Sequence, residues 1–146
     1  MFGNFNRSLD DKNRVMIPSK LRLQLSEICY ITRDLDNVLV LRDETNFKEW
    51  STTLMSLNTL DKQARKFARV LLGRTSEVTI DKQGRIQFNQ NIMTQTSLTK
   101  ELVFIGVGNK IEIHSKEDFE KIQQEFEKTN SLDELANQLL NKGAKL

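Results

Sequence analysis

The sequence predicts an α+β chain made of two related β-β-β-β-α copies, and three observations point there. The first is a repeated block: SLDDKNRVMIP at 8–18 matches TIDKQGRIQFN at 79–89. An offset of 71 superposes Asp10 on Asp81, Arg14 on Arg85, Val15 on Ile86 and Ile17 on Phe88. The second is another matched block, NVLVLRDETNF at 37–47 and NKIEIHSKEDF at 109–119. Here the offset is 72, and it pairs Leu39 with Ile111, Leu41 with Ile113 and Phe47 with Phe119. Two blocks in the same order at nearly the same spacing point to an ancient duplication. The third is periodicity, which alternates every second residue within the blocks and shifts to helical spacing after each of the second blocks.

Taken in order, strands are expected near 5–9, 14–18, 29–33 and 38–41 in the first copy and near 77–80, 85–88, 102–106 and 110–114 in the second. Strict alternation is clearest in Val15 and Ile17 and in Ile111 and Ile113. The segment D-x-x-x-R joins the first two strands of each copy, with Asn13 and Gly84 at equivalent places. Both residues tolerate positive φ, glycine because it lacks a Cβ and asparagine because its side chain is short and polar, so a tight turn is expected there. Arg14 and Arg85 then fall just past the tip of a hairpin.

A helix is expected after each fourth strand. Asp43 precedes Phe47, Trp50, Leu54 and Leu57 in the first copy; Ser115 and Asp118 form a capping box ahead of Phe119, Ile122 and Phe126 in the second. Residues 61–73 read as a further helix with Ala64, Phe67, Ala68 and Leu71 on one face and Gly73 as its stop. A last helix runs from a Ser131 cap, with Glu134 three residues on, through Leu132, Leu135, Ala136 and Leu139 toward Gly143.

The net charge is only +2, but its distribution is uneven. Residues 1–22 carry five cations against two anions, and residues 61–74 carry five against Asp61 alone. Residues 111–141 carry three cations and eight anions. A duplex attracts a local basic surface rather than an average, so the first two segments are candidate basic faces and the acidic third would be repelled by phosphate. No run approaches a membrane span, and MFGNFNRSLDD lacks the basic and apolar stretches of a secretory signal. With Cys29 as the one cysteine, no internal disulfide can form, and a reducing cytoplasm is expected.

SLDDKNR and IPSKLR within 8–22, DKQGRI at 81–86 and VGNKIEIH at 107–114 together resemble the MraZ family over roughly residues 1–128. The resemblance implies two AbrB-like swapped-hairpin units interlocked in one β barrel: copy one over 5–48, a helical connector over 49–75, copy two over 76–120 and a C-terminal helical tail over 121–146. It further implies a ring-shaped homo-oligomer that binds tandem promoter repeats of a division and cell-wall gene cluster, in the cytoplasm and at the nucleoid. The family's D-x-x-x-R positions map onto Asp10 with Arg14 and Asp81 with Arg85. The chain departs from the family pattern in having Asn13 where a glycine is usual and Asn89 where copy one has Pro18.

Chemistry assigns roles within that frame. A planar guanidinium fork bridges O6 and N7 of guanine, so Arg14 and Arg85 are the expected sequence readers. Arg7, Lys12, Lys20, Arg22 and Lys82 are expected to grip phosphates, and Asp10 and Asp81 to cap the turns or orient the arginines. The bland reading of each Asp–Arg couple is a surface ion pair worth about 0–1 kcal/mol; its duplication favours function. Lys62, Arg65, Lys66 and Arg69 read as a solvated helix face. The aromatics Phe47, Trp50, Phe67, Phe119 and Phe126 read as core or subunit interface.

No enzyme signature emerges. His114, the sole histidine, falls opposite Arg42 of the first copy and is expected at an exposed strand end. Cys29 lacks a nearby histidine and is expected to pack as a small apolar side chain. GVGN at 106–109 reads as a hairpin turn, because no helix follows it to receive a phosphate. No zinc-ligand spacing occurs, and no cofactor, metal, membrane or small-molecule substrate is expected. The alternative class is an interaction module of the same β fold, antitoxin-like, whose acidic tail wraps a protein partner.

Overall fold

The computed structural model describes residues 1–129 and 131–145. Of the tail expected over 121–146, residues 130 and 146 therefore lie outside the described ones. In chain order the elements are β1 (Phe2–Ser8), β2 (Arg14–Met16), α1 (Ser19–Arg22), β3 (Ile28–Arg33), β4 (Leu39–Asp43), α2 (Glu44–Met55) and α3 (Lys62–Gly73). There follow β5 (Thr75–Thr79), β6 (Arg85–Gln87), α4 (Gln90–Gln95), β7 (Glu101–Val107), β8 (Ile111–Ser115), α5 (Lys116–Thr129) and α6 (Leu132–Asn141). The eight expected strands are all present. The short helices α1 and α4, which follow β2 and β6, were not legible as helices in the sequence.

The fold is α+β. Six strands form one antiparallel sheet in the order β1-β7-β8-β4-β3-β5, and β2 and β6 form a separate two-stranded ribbon. Strands of the two copies intermix in this sheet: each copy keeps its own hairpin, β3–β4 and β7–β8, but β1 binds β7, its counterpart β5 binds β3, and β4 lies beside its own counterpart β8. The expected turns are in place, yet the strands they join do not pair with each other. Each turn instead hands the chain from the large sheet to the ribbon, where β2 meets β6 of the other copy.

Burial explains this crossing. In β2 and β6, Val15 lies directly opposite Ile86, and both are almost fully buried. They continue into Ile17, Phe88 and Leu21 and pack against Cys29, Ile31, Leu39, Leu41, Leu102, Phe104, Ile111 and Ile113 from the large sheet. Fully burying one such side chain is worth about 1.5–3 kcal/mol. One copy alone would leave this apolar set uncovered.

The helices form for local reasons. Asp43 caps α2 by accepting from Asn46 N–H at 2.9 Å, and Asp61 caps α3 by accepting from Gln63 N–H at 2.9 Å. Phe47 of α2 stacks on Tyr30 with ring centroids 4.0 Å apart. Phe67 and Phe126, by contrast, stay exposed, so they are not part of this chain's core as the sequence allowed. Contacts divide the chain into two compact units, Met1–Lys116 and Glu117–Leu146. In the second, Ser131 caps α6 by accepting from Glu134 N–H at 3.1 Å, as the sequence anticipates.

Candidate nucleic-acid interface

The two turns share one hydrogen-bond plan. Asp10 N–H donates to Arg14 C=O at 2.9 Å, and Asp81 N–H donates to Arg85 C=O at the same distance. Each loop closes at a residue with positive φ, Asn13 at 58° and Gly84 at 82°. Asp10 Oδ1 accepts from the backbone N–H of Lys12 and Arg14 at 2.9 and 2.8 Å; its Oδ2 accepts from Arg14 Nε at 2.7 Å. Asp81 repeats this with Gln83 and Arg85, both at 2.9 Å, and with Arg85 Nε at 3.0 Å. Each aspartate thus does both jobs open to it, capping the turn and orienting the arginine.

Electrostatics agree with geometry. The Arg14 N–H bonded to Asp10 holds that carboxyl below the usual carboxylate range; burial opposes it, and the Arg14 side chain adds to it. Asp81 is lowered in the same way by the Arg85 N–H. Both stay anionic at neutral pH and keep their arginines aimed. Because Nε is the tied atom, Nη1 and Nη2 of each guanidinium remain unused among the described residues. Their side chains are 28% and 26% exposed, enough to present those ends to a ligand.

The ribbon sets the two arginines diagonally across one face, one toward each end. Arg14 pairs with Gln87 and Met16 with Arg85. Because alternate residues point to opposite faces and Val15 and Ile86 point inward, Arg14, Met16, Arg85 and Gln87 all occupy the outer face. Gln87 Nε2 donates to Lys12 C=O at 2.9 Å, which ties the ribbon to the first turn. Two further bonds extend the ribbon at its ends: Ile17 N–H to Gly84 C=O and Phe88 N–H to Asn13 C=O, both 2.9 Å.

Of the remaining expected residues, Lys12 and Lys82 stand exposed on the two turns, and Lys20 and Arg22 stand exposed on α1. Arg22 lies against the second turn: a Cβ built on Gly84 would collide with Arg22 Nη1. Arg7 sits apart on edge strand β1, paired opposite Leu102, and donates to Asn6 C=O at 2.7 Å. The ribbon therefore gathers Arg14, Arg85, Lys12 and Arg22 but not Arg7. Met16 and Gln87 were missed in the sequence, although alternation about Val15 and Ile86 already placed them on the arginines' face.

One expectation is overturned. His114 is buried, not exposed, with Nε2 at 3.0 Å from Glu112 Oε1; a carboxylate partner makes burial of the ring tolerable. Its counterpart Arg42 is buried as well, 3.3 Å from Asp34 and 4.1 Å above the Trp50 ring. Cys29 is buried, and burial pushes its thiol up to about 11, which leaves no thiolate to act as nucleophile. Of the GVGN segment, Gly106 and Val107 end β7 and Gly108 and Asn109 turn the chain into β8, closed by Val107 N–H on Lys110 C=O. Among the described residues no His, Cys, Asp and Glu cluster is able to hold a metal, and no helix is long and apolar enough to cross a membrane.

A mixed fold in which two copies cross-pair and each offers an aspartate-held arginine defines a duplicated-domain class. Comparison with known proteins identifies the family: the model described as "MraZ protein, putative antitoxin-like" matches twice, at residues 1–70 and 71–142. The chain belongs to the MraZ family. It is similar to a protein named transcriptional regulator MraZ from Mycoplasma mobile, 40% identical over the whole of both chains. It is also similar to proteins of the same name from Mycoplasmopsis pulmonis, 38% identical over 87% of this chain and 86% of that one, and Clostridium tetani, 39% identical over 82% and 84%.

Proposed function

We propose that the protein is a sequence-specific DNA-binding transcription regulator that lays the β2–β6 ribbon in the major groove. The groove is wide enough for a two-stranded ribbon, and the outer face of this one carries two arginines whose terminal donors are unused among the described residues. That pairing is the observation on which the reading rests. Arg14 and Arg85 read guanine O6 and N7. Lys12, Lys20, Arg22 and Lys82 fix register on phosphates, and Arg7, farther out on β1, adds a flanking phosphate contact.

In this reading copy one (5–48) and copy two (76–120) build the DNA-facing unit, 49–75 connects them and 121–146 is a tail. Copies of the chain form a ring, since linked weak contacts gain affinity through effective concentration, and the ring engages tandem promoter repeats of a division and cell-wall gene cluster. It works in the cytoplasm at the nucleoid. Gel-shift titration at several salt concentrations tests this: binding that weakens steeply with salt and is lost in the Arg14→Ala, Arg85→Ala double variant supports it. Unchanged retention by a folded double variant removes the site.

A second reading, a protein-binding module, is favoured by the family description's antitoxin-like wording and by the exposed Leu132, Leu139 and Leu140 of α6. Stoichiometric capture of a protein partner together with salt-insensitive or absent duplex binding would select it.

A further inference from the structure

The outer face of the ribbon is not the same at its two ends. At the offset that superposes the arginines, Met16 falls on Gln87. Cross-strand pairing then places Arg14 beside Gln87 at one end and Arg85 beside Met16 at the other. Both are exposed, Met16 at 44%, although an apolar side chain on an outer strand face gains nothing there from water.

Gln87 is held in a particular way. Its amide nitrogen carries two hydrogens, and one is bonded to Lys12 C=O at 2.9 Å. Among the described residues the second hydrogen and Oε1 remain. That pair of one donor and one acceptor is what adenine N7 and N6 require for a bidentate contact, and the Lys12 bond orients it beforehand. Met16 offers no hydrogen bond at all. A soft apolar side chain at that position matches the C5-methyl group of thymine, the one apolar feature on the major-groove edge.

We propose, building on the DNA-binding reading above, that Gln87 and Met16 are specificity-determining residues, with Gln87 reading an adenine next to the guanine of Arg14 and Met16 reading a thymine methyl next to the guanine of Arg85. A ribbon with identical ends would prefer a palindrome. This one prefers a box with a direction, so each unit of an assembly is oriented along the duplex.

Selection from a pool of duplexes with a randomised centre tests the proposal, run on the full chain and on Gln87→Ala, Met16→Ala and Met16→Gln, each checked for an unchanged thermal midpoint. The native chain is expected to select unlike half-sites, with adenine beside one guanine and thymine beside the other. Gln87→Ala should relax the adenine by roughly 5- to 150-fold. Replacing that thymine by uracil in the selected duplex should weaken native binding about fourfold, the worth of one buried methyl, and leave Met16→Ala unaffected. Met16→Gln should move the selected box toward a palindrome. If all four proteins select one identical box while loss of Arg14 and Arg85 still abolishes binding, the proposal falls and the regulator reading stands. If no duplex is retained by the native chain, the regulator reading itself falls.

Discussion

The turn at residues 10–14 and the turn at residues 81–85 share their geometry and differ in what surrounds it. Each has an aspartate bonded to two backbone N–H groups and to an arginine Nε, with distances that agree within 0.3 Å. Around that frame almost everything else has changed. Asn13 stands where Gly84 does, and Met16 where Gln87 does. Lys20 and Arg22 of α1 stand where Asn91 and Met93 of α4 do. The guanidinium and the aspartate that aims it are what both copies share, whereas the flanking positions that would meet neighbouring bases and phosphates differ. A surface ion pair with no further role would give no reason for that division.

The comparison can be broken first at what both turns depend on. Ile86→Ala empties the buried seam where β6 meets Val15 of β2, and chemical denaturation should show a loss of about 2–5 kcal/mol. Unfolding should remain a single transition, since both copies contribute to one buried cluster.

Next come the arginines taken singly. Arg14→Ala or Arg85→Ala should each weaken binding to a selected duplex by about 5- to 150-fold, the worth of a bidentate base contact, with little change in thermal midpoint. The two variants should relax specificity at different base pairs.

A smaller effect separates the two turn residues. Gly84→Ala puts a Cβ on a residue at positive φ and against the Arg22 guanidinium, and should cost about 1–2 kcal/mol. Asn13→Gly removes a side chain at the equivalent place and should be close to neutral. Removing Arg22 as well should lessen the Gly84→Ala cost, a coupling that a double-mutant cycle would read directly.

Charge sharpens the contrast further. Lys82→Ala and Arg22→Ala should each lower the slope of log affinity against log salt by about 1, without changing the selected sequence. Asn91→Ala and Met93→Ala, at the positions matching Lys20 and Arg22, should leave that slope unaltered.

Acid gives the mildest effect. Asp10 and Asp81 have carboxyls lowered in the folded state, below the unfolded value of about 3.9. Their contribution to stability is therefore complete above that value and is lost as pH falls through the lower folded values. The thermal midpoint should decline below about pH 4. The Asp10→Asn, Asp81→Asn double variant should show a flatter decline.

Much of this was legible in the sequence, because the signals are local. Alternation in Val15 and Ile17 and in Ile111 and Ile113 marks strands, Asp43 and Ser131 mark helix starts, and Asn13 and Gly84 mark turns. What a strand pairs with is not local. Nothing within residues 1–18 says that β1 joins β7 and β2 joins β6; that follows from covering an apolar face that neither copy covers alone. His114 was misplaced for a related reason. A histidine at a strand end reads as exposed until the Glu112 partner two residues away is seen to satisfy it. At the candidate site, the aspartate and arginine of each turn were readable from the repeat. The neighbourhoods of Gln87 and Arg22 required the cross-copy contacts.

Chemical protection of guanine N7 on a selected duplex is the most direct measurement of all. With the native chain, two guanines in each bound box should be shielded from methylation. Arg14→Ala should expose one of them and Arg85→Ala the other, while the rest of the footprint persists. Identical protection in the native chain and both variants would show that neither guanidinium reaches a base, and the role given to the paired turns would be wrong.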